Sequence, residues 1–127
     1  MTQIIKFDAS HFDKLMDLIK SEGEEWQDYF LSGKEQLYLD SCQKSITYLL
    51  FKDDEVVGFI RSLEDYNYAI YICDLLVHKN HRGHAYGKKL ISYVKALYPH
   101  FDCYVMSDVD PYYEKLNYEK VGSIFKI

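Results

Sequence analysis

The sequence predicts an α+β fold: a mixed, mostly antiparallel central sheet with helices on both faces, in the order β-α-α-β-β-β-α-β-α-β. Three observations carry this. Between Ile46 and Val77 lie three short apolar stretches separated by tight polar turns, the mark of an antiparallel meander. Phe12, Leu15, Met16 and Ile19, and later Leu90, Ile91, Val94 and Leu97, recur at helical spacing. Strand, helix and strand then follow one another from Tyr68 to Met106, which calls for a right-handed crossover and one parallel pair. At 127 residues the expectation is a single domain spanning 1–127.

The elements follow in order. Ile4 to Phe7 is a short strand. Ser10 caps a helix over residues 10–20, with Asp13 as the capping-box acid. Glu22 to Asp28 is an acidic loop carrying the single tryptophan, and a second helix runs from Ser32 to Cys42. Ile46 to Phe51, the turn Lys52 to Glu55, and Val56 to Leu63 form a hairpin, with Gly58 at a bulge or a close backbone approach. After the turn Glu64 to Asn67, the strand from Tyr68 to Val77 is apolar on both faces and is expected to be central. A helix starts near Ala85 and stops at Pro99, and Phe101 to Met106 is the next strand. Asp110 and Pro111 open a short helix ending at Asn117, a residue suited to a left-handed turn, and Tyr118 to Ile127 is the final strand.

Composition narrows the classes. A content of 48% hydrophobic and 17% aromatic residues, mostly tyrosine, belongs to a folded chain. A net charge of −5 argues against a general nucleic-acid binder. No apolar run reaches bilayer length, and Met1-Thr2-Gln3 leads straight into strand-like sequence without a signal peptide, so no membrane association and a cytoplasmic location are expected. Three widely spaced cysteines read as free thiols.

The charge is uneven. No carboxylate lies between Asp74 and Asp102, whereas Lys79, Arg82, Lys88, Lys89 and Lys95 do. That basic island points to an anionic ligand. The helix near Ala85 has no Ser, Thr, Asp or Asn directly before it to satisfy its first amides. Gly83 and Gly87 let the backbone turn and a ligand approach, and Arg82 supplies a fork of donors. A phosphate acting as the missing cap fits all of these. The turn is neither a P-loop nor a dinucleotide fingerprint.

The run Leu75 to Leu90, with Arg82, Ala85 and Gly87 at the spacing of an Arg/Gln-x-x-Gly-x-Gly/Ala signature, resembles the acetyl-CoA motif of the GNAT superfamily of N-acetyltransferases. Ala85 replaces the middle glycine. Downstream, Pro111 to Gly122 resembles the family's C-terminal Phe-Tyr-Glu-Lys-Leu-Gly-Phe segment, with Asn117 and Tyr118 standing for Gly and Phe. The element order fits that fold, with the chain about one strand shorter. The resemblance implies a cleft where the sheet splays, with pantetheine held by the backbone near Leu75, Leu76 and Val77. The diphosphate of acetyl-CoA would rest on Arg82, Gly83, His84, Ala85, Tyr86 and Gly87, with Lys88 close by. It also implies transfer of an acetyl group to a primary amine of a small molecule or peptide by direct attack. A non-catalytic acyl-CoA-binding regulatory module on the same fold is the alternative.

The resemblance makes Tyr113 the donor of a proton to the departing thiolate, with Tyr112 the choice in a register one residue away. Asp74, a carboxylate in an apolar strand, is either a general base or a hydrogen-bonded structural residue. His78, His81 and His84 straddle a strand end, a loop and a helix start without an accompanying carboxylate or thiol, so no metal is expected there. Glu25 and Trp26 in the acidic loop, and Tyr66, are the residues expected to line a site for a cationic acceptor. An open sheet edge near the C-terminus favours a homodimer.

Overall fold

The computed structural model describes residues 1–127. Five strands lie in the order β1-β2-β3-β4-β5. They are β1 (Thr2–Lys6), β2 (Ile46–Lys52), β3 (Glu55–Asp65), β4 (Ala69–Val77) and β5 (Asp102–Val105). The first three pairings are antiparallel and β4 with β5 is parallel, so the mixed sheet and its crossover are as the sequence predicts. Four α-helices accompany it: α1 (Phe12–Glu22), α2 (Lys34–Lys44), α3 (Tyr86–Leu97) and α4 (Asp110–Lys115). No helix is long and apolar enough to cross a membrane.

Two cores sandwich the sheet. On one face Leu15, Met16, Leu18 and Ile19 of α1 and Tyr38 and Cys42 of α2 pack on Leu49, Phe59 and Leu76. On the other, Leu90, Ile91 and Val94 of α3 pack on Leu50, Val57, Ile60, Ile70 and Ile72. Burial of a side chain the size of Leu15 or Phe59, both fully enclosed, contributes about 1.5–3 kcal/mol. The stripes that placed α1 and α3 in the sequence are the residues that meet these faces.

Two β-bulges decide which side chains face which core. In the β2–β3 pair Leu50 meets Gly58 and Phe51 meets Val56, so Val57 is extra. A Cβ on Gly58 would stand 3.3 Å from the Leu76 carbonyl oxygen, which accounts for a glycine in that strand. In the β3–β4 pair Arg61 meets Asp74 and Ser62 meets Ile72, leaving Cys73 unpaired. Before this bulge Ile70 and Ile72 face α3; after it Leu75 does, and Asp74 and Leu76 turn to the α1–α2 side. A bulge reverses the alternation, and here it aims Asp74.

Three local expectations change. The N-terminal cap is Asp8, not Ser10: its carboxylate accepts from the Ser10 amide (2.7 Å), and His11 closes the capping box ahead of α1. The acidic loop is wound into a 3-10 turn over Glu24–Tyr29, and α2 starts at Lys34 after the left-handed Gly33. The strand expected from Tyr118 to Ile127 is not part of the sheet. Asn117 takes the expected left-handed conformation (φ 64°), and Lys120 Nζ donates to Asp110 Oδ2 at 3.1 Å. That bond holds the segment beside the start of α4, and Val121, Ile124 and Phe125 stay exposed. Apolar residues make a strand only where an edge receives them, and β5 offers four residues.

Candidate active site

The site begins where the sheet parts. β5 stays with β4 as far as the pair Ile72–Val105 and the bond from the Met106 amide to the Ile72 carbonyl (2.9 Å). β4 then continues for five more residues while the chain from Met106 turns away toward α4. The gap holds a cavity of about 200 Å³ with Cys73, Asp74 and Leu75 on one wall and Met106, Ser107, Asp108 and Tyr113 on the other. Glu25, Trp26 and Tyr29 of the 3-10 turn close one side, and Ile124 touches it from the C-terminal segment.

Beyond Val77 the chain enters the basic turn. The His78 amide still bonds the Val57 carbonyl (2.8 Å), and the His78 ring Nδ1 accepts from the Asn80 amide (3.0 Å). His81 packs edge-on against His78, whereas His84 turns to Tyr86. Gly83 has φ 88°, and Ala85, at the cap position of α3, is itself left-handed at φ 60°. No side chain caps α3. The backbone therefore carries the amides of residues 83–88 round a tight concave path with the positive end of a twelve-residue helix behind it. Lys88 is exposed at its rim; Lys89 is drawn off to the Thr2 hydroxyl, and Lys95 to the Phe101 carbonyl.

Two residues of this turn behave differently from the expectation. The Arg82 side chain does not stand free. Its Nη2 donates to both carboxylate oxygens of Glu22, at 2.8 and 2.7 Å, and its Nε donates to the Val77 carbonyl at 3.0 Å. Gly87 is buried within α3, and its bare Cα faces the Tyr112 hydroxyl and a Leu75 methyl rather than open space.

Asp74 is 4% exposed and accepts three hydrogen bonds: from Tyr29 Oη (2.6 Å), Tyr38 Oη (2.7 Å) and Arg61 Nε (2.6 Å). Arg61 continues the network to the hydroxyls of Ser41 (3.0 Å) and Ser45 (3.2 Å). Burial, reinforced by the negative Asp74 beside them, pushes the Tyr29 and Tyr38 phenols well above the ordinary range, so both remain donors. Three of the carboxylate's roughly four acceptor sites are thus filled from within the protein, two of them on Oδ2, while Asp74 also borders the cavity.

Tyr113 lies in the opposite wall, half-buried. Burial first, then Tyr112, Asp108 and Tyr118 around it, push its phenol up to about 12. Burial likewise raises the Cys73 thiol, which makes it a poor nucleophile at neutral pH.

Of the residues read from the sequence, Tyr113, Asp74, Leu75, Glu25 and Trp26 meet at this one cavity. Leu76 points into the α1-side core, and Val77 contributes its carbonyl to Arg82. Tyr66 is not brought there. It is 90% exposed in the turn between β3 and β4, at the opposite end of β4 from the cleft. Tyr29, Ser107 and Asp108 were missed. Tyr29 follows Glu25 and Trp26 by one turn of helix, a spacing that could have found it. Asp108 precedes a helix start and has no such signal.

Comparison with known proteins agrees with this geometry. The model of the acetyltransferase (GNAT) family matches residues 12–118. No curated protein matches the sequence. Among solved structures, the PaiA N-acetyltransferase of Thermoplasma acidophilum in complex with coenzyme A superposes with a TM-score of 0.75 at 17% identity, over 96% of this chain and 91% of that one. A GNAT-family acetyltransferase of Streptococcus pneumoniae gives 0.76 at 17% identity, over 100% and 98%. An aminoglycoside acetyltransferase from an uncultured soil metagenomic sample gives 0.73 at 20% identity, over 100% and 97%. At these identities the likeness to the solved structures is one of fold. The family match spans most of the chain, and it runs from α1 through the splayed cleft to Tyr118: the chain belongs to the GNAT family of acetyltransferases.

Proposed function

We propose that this chain is an N-acetyltransferase that moves an acetyl group from acetyl-CoA to a primary amine of a small molecule or peptide. The observation that carries the reading is the continuity of three features. The uncapped basic turn leads along the unpaired edge of β4 into a cleft that ends at Tyr113. The coenzyme A bound to the Thermoplasma protein and the aminoglycoside acetyltransferase from soil support the cofactor and the acceptor class respectively.

Acetyl-CoA supplies an activated thioester; the residues of this chain hold it and manage charge. Backbone amides from Arg82 to Gly87 hold the diphosphate, with Lys88 adding charge from the rim. The edge of β4 at Leu75 to Val77 holds the pantetheine arm by its backbone groups other than the Val77 carbonyl, which Arg82 takes. Glu25 and Asp108 attract the acceptor in its cationic form, and Trp26 and Tyr29 wall it in. The neutral amine attacks the thioester carbon, the carbon–sulfur bond breaks, and Tyr113 gives its proton to the sulfur. The bound ammonium gives one proton to water before the attack and the nitrogen gives a second after it, and Tyr113 regains its proton from water. A phenol pushed up to about 12 keeps its proton until a thiolate develops beside it in the same desolvated cleft. Asp74 serves here as the anchor of the wall, holding Tyr29, Tyr38 and Arg61 in place.

The test is a panel of polyamines, aminoglycosides and peptide N-termini incubated with acetyl-CoA, read as release of the free thiol of coenzyme A, with calorimetry of acetyl-CoA alongside. Thiol release with at least one amine class is expected. Binding without release across the panel would leave the non-catalytic acyl-CoA module, and an absence of binding would sink both. A cytoplasmic location and a homodimer through the open β5 edge belong to the same reading. Free thiols at Cys42, Cys73 and Cys103 support the first, and the exposed apolar C-terminal segment supports the second.

A further inference from the structure

Arg82 touches three parts of the molecule at once. Its backbone opens the anion turn, its Nε is fixed to the carbonyl that ends β4, and its Nη2 grips the carboxylate that ends α1. Glu22 is the last residue of α1, with only Gly23 between it and the 3-10 turn Glu24–Tyr29. That turn carries Glu25, Trp26 and Tyr29, one side of the cleft. The contact spans sixty positions of sequence, and the Glu22 side chain is only 16% exposed.

From this geometry we infer that the Arg82–Glu22 pair is the link through which occupancy of the phosphate turn is felt at the acceptor side of the cleft, with Glu22 a positioning residue. The inference rests on the acetyl-CoA reading above. A diphosphate on the turn and the Glu22 carboxylate compete for the same guanidinium. Binding of the first weakens the hold of Arg82 on α1's end and shifts the near end of the turn that carries Trp26, whose far end Tyr29 still ties to Asp74. The effect is reciprocal, so an acceptor seated against Glu25 and Trp26 alters the affinity of the phosphate turn by the same factor. An ion pair this exposed on its arginine side adds little to stability, which leaves it free to exchange partners.

Trp26 is the only tryptophan and stands in contact with Tyr29 and Phe59, so its fluorescence reports on this turn alone. The probe is 3′-phosphoadenosine 5′-diphosphate, which carries the phosphates without a pantetheine arm and so does not extend into the cleft. On the native chain Trp26 emission should change along the calorimetric binding curve. Glu22→Gln should bind the same nucleotide within about fivefold of the native affinity, keep its thermal midpoint within a few degrees, and lose the Trp26 response. An unchanged response in Glu22→Gln overturns the link, as does a native chain that binds the nucleotide with no change at Trp26. Heat with coenzyme A but none with the nucleotide also overturns it. An absence of heat with coenzyme A overturns the acetyl-CoA reading itself, a result distinct from the others.

Discussion

The Tyr112 hydroxyl occupies the space that a Cβ on Gly87 would take, with the ring carbon bearing it 3.2 Å from that position. The start of α3 and the short helix α4 are thereby fitted to one another, and Tyr113 is the next residue along. Gly87→Ala should therefore act on the seat of α4 as well as on the phosphate turn. Denaturant titration of Gly87→Ala, Tyr112→Phe and the double variant measures this. Tyr112→Phe removes the clashing oxygen, so the double variant should be more stable than the sum of the singles by about 1 kcal/mol. Strict additivity would mean that Tyr112 swings aside at no cost. Gly87→Glu should abolish acetyl-CoA binding outright, by displacing Tyr112 and by placing a negative charge at the phosphate turn.

Asp74 separates a structural role from a chemical one. Asp74→Ala leaves the Arg61 guanidinium and two phenols buried without an acceptor. Breaking one side of such a pair costs about 3–5 kcal/mol, read as a fall in the denaturation midpoint. A general base would behave otherwise: Asp74→Asn would keep the stability and lose the rate. The expected result is the reverse, a large loss of stability in Asp74→Ala, with Asp74→Asn intermediate.

Tyr113→Phe should slow acetyl transfer by about 10²–10⁴-fold with little change in acetyl-CoA affinity, the range for removal of a general acid. Pre-steady-state thiol release on the variant measures the step itself, and an unaltered rate removes Tyr113 from the mechanism.

Alkaline stability gives an independent reading of the same phenols. Tyr29, Tyr38 and Tyr113 are all raised above the ordinary tyrosine value of 10. From pH 10 upward the unfolded chain ionises these groups while the folded chain keeps them protonated, so the unfolded state binds fewer protons and stability falls as pH rises. For Tyr113 the loss runs from pH 10 to about 12. Each such phenol contributes at most about 1.4 kcal/mol per pH unit inside its window. Tyr113→Phe should make the stability curve shallower between pH 10 and 12, measured by denaturant titration at several pH values.

What could be read in the sequence was what local periodicity and local chemistry determine. The stripes of α1 and α3, the meander from Ile46 to Val77, the parallel crossover and the uncapped start of α3 are all properties of contiguous segments. The facing of Asp74 was not legible, because one extra residue at Cys73 reverses the alternation and no side-chain pattern marks a bulge. Nor was the engagement of Arg82, whose partner is sixty positions away. The segment after Asn117 has the composition of a strand, but strand formation depends on an edge to receive it. Tyr66 was read by residue type, and the hairpin turn sets it at the wrong end of β4.

The charge of the acceptor side can be tested through the two carboxylates that line the cleft without an ion-pair partner. Lys120, Arg61 and Arg82 neutralise Asp110, Asp74 and Glu22, whereas Glu25 and Asp108 enter no ion pair. Both border the cavity that ends at Tyr113. A cationic amine approaching this mouth meets unopposed negative charge. Glu25→Gln or Asp108→Asn should raise KM for a diamine or polyamine about twofold to fivefold, in keeping with solvent-screened pairs, and leave the acetyl-CoA affinity unchanged. The native KM should itself rise with ionic strength, and the variants should show a weaker salt dependence. Asp108→Asn carries a second effect, since the Asp108 charge is one of the groups that keep the Tyr113 phenol high. Its removal lowers that pKa and makes Tyr113 a stronger acid, so kcat for Asp108→Asn should hold or rise while KM worsens. A KM that ignores both substitutions and salt would show that the acceptor is not recognised by charge.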